Sequence, residues 1–178
     1  MRIISGKFKG KRLIAPKTLP VRPTTDMAKE ALFNILNFQI DFDNVKLLDL
    51  FAGTGNISYE FISRGTTDVT AVDQNYGCVK FINKTAKELD AEIQTVKSDV
   101  FKYLEKVKSK HDVIFADPPY GLELAEFQKI PYFVFENDLL NKDGILIIEH
   151  SKYTDLSETN HFTESRKYGS SVFSFFKI

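Results

Sequence analysis

From position 45 onward the apolar residues alternate between two patterns, short runs suited to buried strands and stripes at spacings of three and four suited to helices. Residues 45–51, 69–73, 93–97, 112–116 and 145–149 read as strands. The stretches 56–64, 75–89 and 101–107 read as helices, with Gly65 as a stop and Val79, Ile82, Ala86 and Leu89 on one face of the second. Residues 122–140 are helical in pattern but are expected to break near Pro131. Repeated strand-helix units predict a parallel sheet covered by helices on both faces. The ending differs: 161–167 and 171–177 flank Tyr168-Gly169-Ser170 as an antiparallel hairpin.

Before this alternation, Ala28, Ala31, Leu32, Ile35 and Leu36 mark an amphipathic helix over 25–38, with Thr24 or Thr25 able to cap it. Further upstream, 2–8 and 11–15 are β-prone runs separated by Lys9-Gly10, predicting a β-hairpin. Pro16, Pro20 and Pro23 then interrupt regular structure.

Length and composition change the picture little. The 178 residues, 43% hydrophobic and 27% charged, fit one globular domain. The longest aliphatic run, 145–148, is far too short to cross a bilayer, and no apolar stretch follows the first basic residues as a secretory signal would require. Cys78 is the single cysteine, so no intrachain disulfide can form. A cytoplasmic setting is expected.

Charge is more informative. The net charge of zero conceals seven basic residues and no acidic one in positions 1–22, and 17 basic against 24 acidic residues beyond them. Such an arm on an acidic body suits either a polyanion partner or a solvated surface segment.

Four constellations carry candidate chemistry. Asp49-Leu50-Phe51-Ala52-Gly53-Thr54-Gly55 lies where the first strand turns into a helix, and its glycines permit close backbone approach to a ligand. A dinucleotide site would place a third glycine where Ser58 stands, which counts against NAD. Asp73 ends the second strand, where a carboxylate can accept from ribose hydroxyls. Ser98-Asp99 ends the third; Asp99 can receive an adenine amino group or cap the following helix. Asp117-Pro118-Pro119-Tyr120 follows the fourth strand. Its prolines fix the backbone, its carboxylate and the Pro118 carbonyl can accept the two hydrogens of an exocyclic amine, and its ring can stack on a base.

The order DLFAGTG, Asp73, Ser98-Asp99 and DPPY resembles class I S-adenosylmethionine-dependent amino-methyltransferases. RIISGKFKGKRLIAP, RPTTDMAKEALFNIL and KYGSSVFSFF resemble the bacterial RsmD family of small-subunit ribosomal RNA guanine-N2 methyltransferases, over nearly the whole chain. The resemblance implies a Rossmann-like α/β fold, with a seven-stranded, mostly parallel sheet ending in an antiparallel hairpin. Residues 1–22 would form a basic arm and 23–178 the methyltransferase domain. Implied activity is methyl transfer to guanine N2 in 16S ribosomal RNA, free or in the assembled small subunit, by a monomer without membrane or metal.

The candidate catalytic set is Asp117, Pro118, Pro119 and Tyr120. The candidate cofactor set is Asp49, Phe51, Ala52, Gly53, Thr54, Gly55, Asp73, Gln74, Ser98 and Asp99, with Thr24 and Thr25, which capping explains equally well. Lys7, Lys9, Lys11, Arg12 and Arg22 are the candidate RNA contacts. His111, His150 and His161 lack metal-ligand spacing and are expected at the surface or hydrogen-bonded. Cys78 is read as an idle thiol and Glu149 as a structural or loop-anchoring residue. Competing readings are a DNA adenine or cytosine amino-methyltransferase, a non-catalytic RNA-binding module and an NAD-dependent oxidoreductase.

Overall fold

A computed structural model describes residues 1–21 and 24–178. Arg22, a candidate RNA contact, lies outside the described residues. Chain order is α1 (Asp26–Leu36), a 3-10 turn (Phe42–Asn44), β1 (Lys46–Leu50), α2 (Asn56–Ser63), β2 (Asp68–Asp73), α3 (Tyr76–Glu88), β3 (Gln94–Lys97), α4 (Val100–Lys106), β4 (His111–Ala116), α5 (Leu124–Glu136), β5 (Leu140–Ser151), β6 (Phe162–Tyr168) and β7 (Ser171–Phe176). The sheet runs β3-β2-β1-β4-β5-β7-β6. The pairings through β5 are parallel, and β7 is antiparallel to both β5 and β6.

Both faces of the central strands are buried, which explains their continuous apolar runs. Successive residues of β1 serve opposite faces. Leu48 and Leu50 pack with Val100 and Leu104 of α4 and with Phe127, Ile130 and Val134 of α5. Leu47 packs with Ala28, Leu32 and Phe33 of α1 and with Ile57 and Phe61 of α2. The carboxyl ends of β1, β2, β4 and β5 thereby meet along one edge, with the helix N-termini above it.

Helix starts follow local chemistry. Thr25 caps α1 by accepting from the Ala28 amide at 3.2 Å, Asn75 caps α3 through Cys78 at 3.2 Å, and Asp99 caps α4 through Lys102 at 3.0 Å. Two expectations are corrected here. Pro131 does not break α5: the ring removes one amide donor, but Phe127, Ile130 and Val134 stay buried on the sheet and hold the helix through it. Among the described residues, the amino-terminal hairpin is also shorter than expected: Arg2 and Arg12 form an isolated antiparallel bridge, flanked by the Leu13 amide donating to the Met1 carbonyl and the Ile3 amide to the Lys11 carbonyl, both at 3.0 Å.

The reason is that residues 4–8 pair with α2 instead of with their own return strand. The Ile4 and Ser5 amides donate to Glu60 at 2.8 and 3.0 Å, the Lys7 amide to the Ser63 carbonyl at 2.6 Å, and the Phe8 amide to Ser63 Oγ at 2.9 Å. Gly6 makes the approach possible. Its φ is +81°, and a Cβ there would lie 1.7 Å from the Ser63 carbonyl oxygen. Ile3 and Leu13 complete the docking by burying against Tyr59 and Leu89, each contributing about 1.5–3 kcal/mol.

Candidate active site

A cavity of about 660 Å³ opens at the carboxyl edge of the sheet, within the usual range for small-molecule sites of ~300–1,000 Å³. Asp49, Phe51, Ala52, Gly53 and Thr54 form its floor beside Asp73, Gln74 and Asp99. Asp117, Pro118, Pro119 and Tyr120, which follow the neighbouring strand β4, line it as well, as do Thr24 and Thr25. Two candidates stand back from it. Gly55 is the left-handed N-cap of α2 (φ +79°), and a Cβ there would press on Tyr59 at 2.9 Å and Ile82 at 3.0 Å, so its size requirement comes from the core. Ser98 donates its amide to the Asp73 carbonyl at 3.1 Å and its hydroxyl to the Asp99 carbonyl at 2.9 Å, which shapes the β3–α4 corner.

Asp73 ties the floor together. Its Oδ2 accepts from the Gly53 amide at 2.8 Å and its Oδ1 from the Asn75 amide at 2.7 Å. These bonds fix the carboxylate at the end of β2 while each oxygen keeps a second acceptor direction. The loop itself is strained at Phe51, whose φ of 56° costs about 1–2 kcal/mol for a residue with a Cβ. Phe51 packs edge-on against Phe101, another wall residue, with ring centroids 6.1 Å apart.

Asp49 lies beneath this loop, almost fully buried, accepting from the Ser58 amide at 3.2 Å and the Ser58 hydroxyl at 2.6 Å. Burial pushes its carboxyl up to about 7 despite these donors. Cys78 also lines the cavity, but burial raises its thiol to about 11, so no thiolate is available.

Sequence reasoning missed several wall residues. Asn56 begins α2, accepts from the Lys29 ammonium at 2.8 Å and donates to the Thr24 carbonyl at 3.4 Å. Ser170 and Ser171 arrive from the β6–β7 turn because β7 inserts beside β5. Glu149, the expected loop anchor, accepts from Thr24 Oγ1 at 2.9 Å and from Ser171 Oγ at 2.7 Å, and it too faces the cavity. The signal for these residues was only the turn motif Tyr168-Gly169-Ser170; their convergence comes from strand order.

The histidines divide. His111 and His150 are buried, the latter 2.7 Å from Ser174 Oγ, whereas His161 is exposed and stacks on Phe135 at 3.9 Å. Among the described residues no helix is long and apolar enough to cross a membrane. On the arm, Lys7, Lys9, Lys11 and Arg12 are all exposed.

The chain is 33% identical over 164 residues to YlbH of Bacillus subtilis, covering 89% of this chain and 87% of that one. It is 31% identical over 168 residues to the ribosomal RNA small subunit methyltransferase D of Buchnera aphidicola subsp. Acyrthosiphon pisum, covering 93% and 85%. The fold matches the Thermus thermophilus 16S rRNA N2 G1207 methyltransferase RsmC, solved with AdoMet and guanosine, at a TM-score of 0.71 over 89% of this chain and 45% of that one, with 20% identity. The family model described as Conserved hypothetical protein 95 matches residues 1–177. Spanning arm, site and closing hairpin alike, these matches make the chain a member of that family, the bacterial RsmD family of ribosomal RNA methyltransferases.

Proposed function

We propose that the protein transfers the methyl group of S-adenosylmethionine to the exocyclic N2 amine of a guanine in 16S ribosomal RNA. The observation that carries this reading is that the Asp117-Pro118-Pro119-Tyr120 clamp and the Asp73-anchored glycine loop share one cavity. The residues present suit the cofactor: a fixed carboxylate for a ribose, a short-side-chain loop for close approach, and apolar walls at Phe51 and Phe101 for an adenine. When bound, it supplies an electrophilic methyl group on a sulfonium.

The chain's own contribution is to capture and orient the amine. Tyr120, 41% exposed at the cavity mouth, offers a stacking face to an extruded base. Asp117 and the Pro118 carbonyl accept the two amine hydrogens, turning the nitrogen lone pair toward the methyl carbon. With the cofactor bound, the amine so held would take the methyl group as its bond to sulfur broke, and the proton shed by nitrogen would pass to solvent. Residues 1–22 act as a phosphate-binding arm through Lys7, Lys9, Lys11 and Arg12, the remainder is the catalytic domain, and the enzyme works as a cytoplasmic monomer.

The test is transfer of labelled methyl from S-adenosylmethionine onto unmodified ribosomal RNA and onto assembled small subunits, followed by nucleoside analysis. Label in N2-methylguanosine is expected. Label in N6-methyladenosine or N4-methylcytosine would replace the guanine reading, and cofactor binding without transfer to either substrate would favour an RNA-binding module.

A further inference from the structure

The chain has no tryptophan, and among the described residues four tyrosines are exposed. Tyr132 lies on α5. The other three follow carboxyl ends of strands: Tyr76 stands three residues beyond β2, Tyr120 four beyond β4 and Tyr153 two beyond β5. In the sheet order β2-β1-β4-β5, the strand that leads to Tyr120 lies between those that lead to Tyr76 and Tyr153.

The surroundings of the outer two put them on the rim of the cavity. Tyr76 follows Gln74 and Asn75, which line it, and Lys97 at the end of β3 holds its Nζ 5.9 Å from the Tyr76 ring centroid. Ser151 pairs with the cavity residue Ser171 and accepts the Tyr153 amide on its hydroxyl at 3.3 Å, while Lys152 Nζ lies 5.1 Å from the Tyr153 ring centroid. Tyr76 is 65% exposed and Tyr153 87%, so each ring keeps an open face with a lysine over the other. Among the described residues neither lysine is held in an ion pair.

One exposed aromatic side chain is ordinary; two, each beside an ammonium without a counter-charge and set on either side of the cavity mouth, fit an unpaired nucleic-acid strand. Every base offers a π face to stack on, and every phosphate a negative charge. The ends of β2 and β5 stand three strand spacings apart, about 14 Å at ~4.8 Å each, whereas bases stacked along one strand repeat every ~3.4 Å. That gap admits a nucleotide turned into the cavity between two neighbours left on the rim. We infer that Tyr76 and Tyr153 are stacking platforms for the nucleotides on either side of the methylated one, with Lys97 and Lys152 taking the adjoining phosphates, so that the carboxyl edge of the sheet holds an unpaired RNA strand across the cavity mouth. This rests on the RNA-methyltransferase reading above and not on which base is methylated.

The test measures transfer from S-adenosylmethionine to the RNA identified by the transfer assay, prepared intact and with an abasic residue on one side or the other of the methylated nucleotide. Tyr76→Ala and Tyr153→Ala are each expected to lower kcat/KM about 5- to 100-fold on intact RNA, through KM, as the loss of one base–aromatic stack. Tyr76→Phe and Tyr153→Phe keep the ring face and should recover all but about twofold of this. Each alanine loss should shrink below about threefold on one of the two abasic RNAs, a different one for each tyrosine, because the base it stacks on is already gone. Lys97→Ala and Lys152→Ala should each flatten the log-log salt dependence of RNA affinity by about 0.7. Affinity for S-adenosylhomocysteine by calorimetry should stay within about threefold of wild type in every variant, since the contacts are with RNA.

An alanine variant within about twofold of wild type on intact RNA overturns the inference, as does a loss that persists undiminished on both abasic RNAs or an unchanged salt slope in both lysine variants. So does a loss of more than about tenfold in S-adenosylhomocysteine affinity in Tyr76→Ala, which would make the ring a support for the cofactor side of the cavity. Methyl transfer to RNA by the wild type separates these failures from failure of the function itself; its absence overturns both.

Discussion

Lys29 Nζ lies 3.4 Å from Glu60 Oε2, and both side chains are completely buried. Lys29 also donates to the Arg2 carbonyl at 2.6 Å and to Asn56, while Glu60 receives the Ile4 and Ser5 amides and the Arg64 guanidinium. Burial lowers the Lys29 pKa and Glu60 opposes it. The pair sits between the basic arm and a cavity-wall residue, so arm docking and site shape depend on the same two charges. Glu60→Ala should therefore destabilise the fold by about 3–5 kcal/mol in urea titrations, since it leaves a buried ammonium without its counter-charge and the Ile4 and Ser5 amides without their acceptor. A loss below about 1 kcal/mol would contradict this account.

Two glycines of the arm should respond differently to alanine. Gly6→Ala meets the Ser63 carbonyl and must lift the arm from α2, exposing the amides of residues 4–8 to hydrogen exchange. Gly10 has φ +83° with nothing near its missing Cβ, so Gly10→Ala should cost about 1–2 kcal/mol and leave the arm docked. Equal exchange in the two variants would show that the Ser63 contact does not hold the arm.

Two buried groups give opposite pH slopes. Asp49 is raised from 3.8 to about 7, so the folded state holds the proton more tightly. Its contribution is full below the unfolded pKa and is lost as pH rises through 7. Relative to Asp49→Asn, the wild type should lose roughly 4 kcal/mol between pH 4 and 8. His111 is buried and lowered from 6.5 to about 4, chiefly by desolvation and then by Lys46. Relative to His111→Leu, the wild type should gain roughly 3 kcal/mol as pH rises from 4 to 6.5. Urea unfolding of the three proteins across this range checks both signs.

Asp117→Ala should abolish methyl transfer while leaving S-adenosylhomocysteine affinity nearly intact, because in the proposed mechanism the carboxylate acts on the incoming amine. Tyr120→Phe should be mild and Tyr120→Ala severe, as the stacking face is what matters. By contrast, Asp73→Ala should weaken the cofactor by roughly 1.5–3 kcal/mol in calorimetry, since it also releases the Gly53 and Asn75 amides.

The arm predicts a salt dependence. If about four phosphates are neutralised, log affinity for RNA should fall against log salt with a slope near −3 on the single-strand scale. Replacing the exposed Lys7, Lys9 and Lys11 by alanine should flatten that slope with cofactor affinity unchanged. An identical slope in filter binding would remove the arm from RNA recognition.

Much of this protein was legible from its residues alone. The alternation of apolar runs and stripes specified the strand-helix order because each pattern fits only one backbone period, and Thr25, Asn75 and Asp99 marked helix starts because a short polar side chain satisfies a free amide. The glycine loop, Asp73 and the Asp117-Pro118-Pro119-Tyr120 segment were readable as candidate site residues because each lies at the end of a recognisable strand, and the fold brings them to one cavity. The two misread elements, the helix through Pro131 and the arm's partial pairing, were local signals overridden by partners distant in sequence: buried side chains of α5 in one case, Glu60 and Ser63 in the other. Tertiary structure alone decided that Glu149, Thr24 and Ser171 meet across 125 and 22 residues of chain. Sequence spacing carries no record of such meetings, because they depend on β7 inserting antiparallel between β5 and β6, a pairing fixed by the burial of both sheet faces together and not by any one strand's pattern.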